Sequence, residues 1–196
     1  MLSIIIPCIR PLGRDRCIES IYKYINMDKD LYEIVTEVDE NRIGSNLMIK
    51  NLVNKTKYDL VLYLGDDTEV TENCIPEAIR VMNTFEDGWG MVGLNDQFHD
   101  LKELATHWLA HKKLLPYLDG EFLHTGYKHS FSDVEFMSRC KSLNKYKPSF
   151  NSIIIHHHPI VNREISWDRD YDRIYSPPVW LKDKQLYRQR AKKGFK

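Results

Sequence analysis

The 196-residue sequence predicts an α/β fold: a mixed, mostly parallel sheet flanked by helices. Three observations carry that prediction. Short β-branched runs alternate with stretches of helical apolar period through the first hundred residues. Two of the runs, Leu2–Pro7 and Leu60–Leu64, are apolar almost without interruption, as strands buried on both faces are. Acidic residues stand where three of the runs stop, and in open α/β sheets ligands bind beyond the carboxyl ends of the strands.

The elements follow in order. Leu2–Pro7 reads as a buried strand, broken by Pro11 and Gly13. Ile18, Ile21, Tyr22 and Ile25 recur at helical spacing and form one apolar face. Glu33–Val38 is a second strand. A helix opened near Gly44 and Ser45 carries Met48, Ile49, Leu52 and Val53 inward. Leu60–Leu64 is a third strand and stops at Gly65-Asp66-Asp67. Ile75, Ala78, Ile79 and Met82 mark a third helix, and Trp89–Leu94 a fourth strand. The strand ends gather Pro7–Arg10, Asp39–Arg42, Gly65–Thr68 and Asn95–Gln97 at one edge.

The second half is less regular. Residues 98–130 show no clear period. Asp133–Cys140 reads as a helix and Ser152–His158 as a strand. Pro177-Pro178 marks a break, and Leu181–Lys193 a final basic helix whose charged face is expected in solvent. With no repeat and no linker, the expectation is one domain. Residues 1–97 form its regular first half, 98–160 its less regular second half, and 161–196 a C-terminal extension.

Composition narrows the function. Lys+Arg and Asp+Glu both number 28, so no global field draws in nucleic acid or anionic membrane. No run approaches the roughly 18 apolar residues that span a bilayer. The opening apolar run is too short for a signal peptide and lacks a basic start. Cys8, Cys17, Cys74 and Cys140 make no metal-binding spacing, and three of them sit in apolar stretches as buried thiols. These features predict the cytoplasm, with a membrane reached only as a peripheral visitor. The sequence has no glycine-rich dinucleotide fingerprint, no P-loop and no nucleophile elbow.

Three constellations remain. Asp66-Asp67 places two like charges at the end of a buried strand, where a hard divalent cation would offset their repulsion; Gly-Asp-Asp-Thr is also good turn chemistry. Ser132-Asp133-Val134-Glu135 reads as a capping box, with Glu135 and Arg139 as an i,i+4 pair. That reading accounts for Ser132 and Glu135 but only in part for Asp133, a carboxylate held ionised at a helix start. In His156-His157-His158, strand geometry turns His156 and His158 to one side and His157 to the other. Two imidazoles on one face suit a metal, or one metal contact and one phosphate contact.

In this order and spacing, the motifs make the chain resemble family 2 glycosyltransferases of the GT-A fold, whose sheet is Rossmann-like. Ser3-Ile4-Ile5-Ile6-Pro7 with Arg10 is similar to that family's first strand and loop. Tyr32 through Asp39, then Gly44-Ser45-Asn46, is similar to its second strand and following helix. Leu64 through Val70 resembles the family's metal element, the DXD motif, with Gly65 in place of the first acid. Ser132-Asp133 stands where the family usually has Glu-Asp. The likeness covers about residues 1–160.

The resemblance implies a metal-dependent, inverting glycosyltransferase using a nucleoside-diphosphate sugar, UDP-linked by preference. Pro7, Arg10, Asp39, Asn46, Asp66 and Asp67 would hold the donor, with Asp39 reading the base. Asp67 with His156 or His158 would bind Mn2+ or Mg2+, and Asp133 would be the catalytic base. The acceptor would be a glycan, a lipid-linked or a small-molecule hydroxyl; a nucleic acid would need a local basic groove. Trp108, Tyr117 and His124 lie in the stretch expected to meet the acceptor, Trp108 more as core. Two rivals are a nucleotide-sugar nucleotidyltransferase, suggested by Arg10 and Arg14, and a degenerate non-catalytic sugar- or nucleotide-binding module, suggested by Gly65 and Ser132.

Overall fold

The computed structural model describes residues 1–195. The chain runs β1 (Leu2–Cys8), α1 (Pro11–Tyr24), β2 (Tyr32–Val38), α2 (Ser45–Lys55), β3 (Leu60–Tyr63), β4 (Thr68–Val70), α3 (Cys74–Met82) and β5 (Met91–Asn95). It continues through β6 (Trp108–His111), α4 (Ser132–Ser142), β7 (Tyr146–His156), α5 (Arg169–Ile174) and α6 (Pro177–Lys192). The strands form one seven-stranded sheet in the order β2-β1-β3-β6-β5-β7-β4.

The sheet is mixed. β1 pairs in parallel with β2 and β3, and β5 with β7. The pairs β3–β6, β5–β6 and β4–β7 are antiparallel. The antiparallel share exceeds the expected one because of the short β4 and of β6, which lies in the stretch where no period was legible. Four residues, Trp-Leu-Ala-His, are too few to declare a period, yet they fill the middle of the sheet.

Period-two alternation divides the core between two faces. Ile4 and Ile6 of β1 pack with Cys17 and Ile21 of α1 and with Ile75, Ala78 and Met82 of α3. Ile5, between them, joins Ile49, Leu52 and Val53 of α2 and Phe136, Met137 and Cys140 of α4. Trp108 is fully buried there, its ring 5.0 Å from Phe122 and 5.1 Å from Phe136. It is core, whereas Tyr117 is exposed and stacks on Trp89. All four cysteines are buried and free.

Several local expectations change. Pro11 opens α1 rather than only ending the strand, since a proline at the first helical position lacks an N–H that would be unpaired anyway. Gly13 is needed because a Cβ there would lie 2.4 Å from the Asp66 carbonyl oxygen. The inward stripe of α1 is Cys17, Ser20, Ile21 and then Ile25, which leaves Tyr22 exposed. Pro177-Pro178 starts α6 by the same logic as Pro11. The late strand runs from Tyr146 and ends at His156, not His158.

The capping box at Ser132 does not form. Phe131, in the left-handed region at φ 71°, precedes α4 without a side-chain cap. Ser132 Oγ instead donates to Asn46 Oδ1, and Glu135 accepts from Tyr127 and Arg190. Longer-range partners outcompete the local ones because both side chains are buried. The Glu135–Arg139 pair is present at 3.5 Å.

Nor is α6 simply a solvated basic helix. Arg190 reaches buried Glu135 at 2.8 Å, and Asp183 is 1% exposed. The Asp183 carboxylate accepts three backbone N–H groups, from Lys128, His129 and Ser130, each at 2.9 Å. Charge-assisted bonds of this kind are worth about 1.5–3 kcal/mol each, and their loss strands buried donors. Asp183→Ala is expected to destabilise the protein by about 3 kcal/mol, read as a lowered urea midpoint with unchanged slope. A change within a few tenths of a kcal/mol would mean that loop 128–130 stands without α6.

Candidate functional site

The carboxyl ends of β1 and β3 meet at a cavity of about 610 Å3, also lined by the start of α4 and by α5. Every residue expected in the site lines it: Pro7, Arg10, Asp39, Asn46, Asp66, Asp67, Asp133, His156 and His158. His107, His99 and Tyr171 join them.

The two adjacent carboxylates at the end of β3 diverge. Asp66 Oδ2 accepts the backbone N–H groups of Ile9 and Arg10, both at 2.6 Å, and so ties the loop after β1 to the end of β3. Burial and the charge of Asp67 lift its carboxyl to about 6. Asp67 turns the other way, its Oδ1 3.7 Å from His156 Nε2. Burial works against the Asp67 charge, but the imidazoles of His156, His107 and His158 hold its pKa well below the ordinary range.

The chain brings His156 to Asp67 through a bent strand. The first part of β7 runs parallel to β5, and its register shifts where Leu94 and Asn95 pair with Ser149 and Ile153. The end of β7 then pairs with β4, His156 opposite Thr68. Alternation sends the neighbouring His157 away, to Glu69 at 2.6 Å.

The histidines differ in their free nitrogens. Asp67, His107 and His156 offer ligand atoms that all lie within 4.8 Å of one another, and donors of this number and type fit a divalent cation. His158 is differently placed. Its Nδ1 accepts the Ile160 N–H at 3.1 Å, so in a neutral ring Nε2 carries the proton and faces Tyr175 Oη at 3.3 Å. Burial pushes His158 down to about 4, which keeps it neutral. Asp96, at the end of β5, supports the cluster from behind. It lies 3.5 Å from His156 Nδ1 and 2.7 Å from His99 Nδ1.

Burial opposes a charge on His156, yet Asp67 and Asp96 on either side raise it to about 9. A histidine raised on folding contributes stability that is full below its unfolded pKa, about 6.5, and lost as pH rises through about 9. In EDTA, the urea midpoint is therefore expected to fall between pH 7 and pH 9.5, and His156→Gln should flatten that fall. An unflattened decline would assign it to another group.

The remaining expected residues are partly committed to structure. Asp39 accepts the Ile43 and Gly44 N–H groups at 2.8 and 2.9 Å, fixing the loop before α2. Asn46 Nδ2 bonds the His124 and Tyr127 carbonyls, joining α2 to the loop before α4. Asp133 Oδ1 accepts the Val134 N–H at 2.8 Å, and burial raises its pKa. Arg10 pairs with Asp168 through two bonds, at 2.8 and 3.1 Å, and its guanidinium lies 3.9 Å above the Tyr171 ring. Tyr171 donates to Asp67 Oδ2 at 3.1 Å. The segment after residue 160 thus reaches the acidic centre through α5.

Sequence reasoning missed His107, Asp96 and Tyr171. Asp96 carried a weak signal, its place at a strand end. His107 and Tyr171 stand in stretches without legible period.

No family model matches this chain, and no curated protein matches it. Solved structures do. A mannosyltransferase, PcManGT, from Pyrobaculum calidifontis in complex with GDP-Man and Mn2+ aligns with a TM-score of 0.70 at 12% identity, over 95% of this chain and 64% of that one. S. aureus TarS 1-349 gives 0.63 at 14% identity, over 84% and 62%. Glucosyl-3-phosphoglycerate synthase from Mycobacterium tuberculosis, in complex with Mn2+, UDP and glucosyl-3-phosphoglycerate, gives 0.54 at 13%, over 81% and 72%. The chain spans less than two thirds of the length of the first two. At such identities the likeness speaks for architecture alone, and the architecture is the GT-A fold.

Proposed function

We propose that this chain is a metal-dependent glycosyltransferase that moves a sugar from a nucleoside diphosphate to an acceptor hydroxyl, with inversion at the anomeric carbon. One observation carries the reading most. Asp67 with His156, a divalent-cation pair, shares a cavity with Asp133, a carboxylate suited to accept a proton. Mn2+ or Mg2+ bound there would act as a Lewis acid on the departing diphosphate.

Asp67 and His156 would hold the ion, and His158, with both nitrogens engaged, would stand toward the donor phosphates. Asp66 fixes the loop that carries Pro7 and Arg10 along the donor, and Asp39 and Asn46 shape the wall where the base lies. Asp133 takes the proton from the acceptor hydroxyl as its oxygen bonds the anomeric carbon and the bond to the diphosphate breaks. A raised pKa makes Asp133 the stronger base. The donor is a UDP-sugar on the family resemblance; structural neighbours were solved with GDP-Man or UDP. The acceptor is a glycan, lipid-linked or small-molecule hydroxyl, or a nucleic acid bound at a local groove. Among the described residues no helix is long and apolar enough to cross a membrane. The four buried free thiols favour a reducing compartment, the cytoplasm.

Incubation with a panel of UDP- and GDP-sugars in Mn2+ tests the assignment. Release of nucleoside diphosphate above an EDTA control is expected. Pyrophosphate release from a nucleoside triphosphate and a sugar phosphate would instead identify a nucleotidyltransferase. Donor binding without turnover across donors and acceptors would point to a non-catalytic module.

A further inference from the structure

We infer that His107 is a third protein ligand of the metal, beside Asp67 and His156. The inference rests on the metal reading above and adds a donor that no sequence motif marks. A side chain at position 65 would crowd both Asp67 and His107. A Cβ there would lie 2.6 Å from Asp67 Oδ1 and 3.2 Å from His107 Nε2. The imidazole already occupies the space into which such a side chain would project.

Hydrogen bonding sets the tautomer. Thr106 Oγ1 is 3.3 Å from Asp96 Oδ2, an acceptor-only carboxylate, so the single hydroxyl proton goes to Asp96. Thr106 Oγ1 is also 3.0 Å from His107 Nδ1, and that contact must then be Nδ1–H donating to the hydroxyl. Nε2 is left with a bare lone pair on the Asp67 side. Packing fixes the ring, 3% exposed, stacked on Tyr63 at 5.6 Å and edge-on to His156 at 4.8 Å. Asp96 thus stands behind both imidazoles, 3.5 Å from His156 Nδ1 without a hydrogen bond and linked to His107 through Thr106, so the outer-shell support that orients a ligating histidine is made for His107.

Two imidazoles and one carboxylate are a softer set than carboxylates alone. They favour Mn2+ or Co2+ over Mg2+, which prefers oxygen donors and retained waters.

The test loads the whole chain with Mn2+ in the presence of UDP and counts coupled histidine nitrogens by pulsed EPR, with dissociation constants from calorimetry. Wild type and His158→Ala are expected to show two nitrogens; His107→Ala and the bulkier His107→Gln one, with affinity lower by about 10-fold or more. Mg2+ is expected to displace Mn2+ only at large excess. If either His107 variant that folds keeps two nitrogens and wild-type affinity, or wild type shows one, His107 is not a ligand and the metal reading stands. Loss of a nitrogen in His158→Ala would transfer the role to His158. No Mn2+ bound by wild type would overturn the metal reading and this inference with it.

Discussion

Asp133→Asn is expected to lower turnover by about 10²–10⁴-fold, the usual worth of a general base, while leaving nucleotide affinity unchanged. The substitution is nearly isosteric and an amide oxygen can still accept the Val134 N–H, so α4 should start as before. What is lost is the group that takes the proton. Asp133 lines the same cavity as the Asp67–His156 pair but is on a different element, at the start of α4. Binding and proton transfer should therefore separate cleanly in steady-state kinetics. Full activity in Asp133→Asn would remove it from the base role.

Asp67→Ala is expected to fail earlier, at binding. Its carboxylate faces His156 at 3.7 Å and accepts from Tyr171, so it anchors both the metal pair and the α5 segment. Without it, nucleotide affinity in Mn2+ should fall by about 100-fold or more, at least the upper end of the 10–100-fold typical of outer-shell losses. In EDTA, variant and wild type should bind equally weakly. Asp66→Asn is the contrast. Asp66 holds the Ile9 and Arg10 backbone rather than the histidines, so its effect should appear with or without metal. Equal metal-supported affinity in Asp67→Ala and wild type would place the ion elsewhere.

What the sequence showed and what it hid divide along physical lines. β1, β3 and the helices between them were legible because burial on both faces leaves long apolar runs and a clear 3.6 period. Asp66-Asp67 stood out because like charges at a strand end call for compensation. His156 and His158 were placed on one side by alternation alone. What distinguishes them is the Ile160 N–H and the Tyr175 hydroxyl beside His158, contacts formed only after the chain folds back. β6 was hidden because, unlike the equally short β3, it is not an apolar run closed by a turn signal, and with it His107, which precedes that strand. Asp183 looked like one more charge on a polar helix. Its burial under loop 128–130 depends on a partner more than fifty residues away. Ser132 and Glu135 matched a local capping pattern and were drawn instead to Asn46 and Arg190, because buried polar groups take the partners that desolvation leaves them.

The most direct test of the central claim is calorimetric titration of UDP, with GDP in parallel, first in Mn2+ and then in EDTA. The account predicts saturable binding of at least one nucleotide in Mn2+, weakened strongly by EDTA and absent at the same concentrations in Asp67→Ala. Binding of neither nucleotide in Mn2+, or binding that EDTA leaves unchanged, would contradict it.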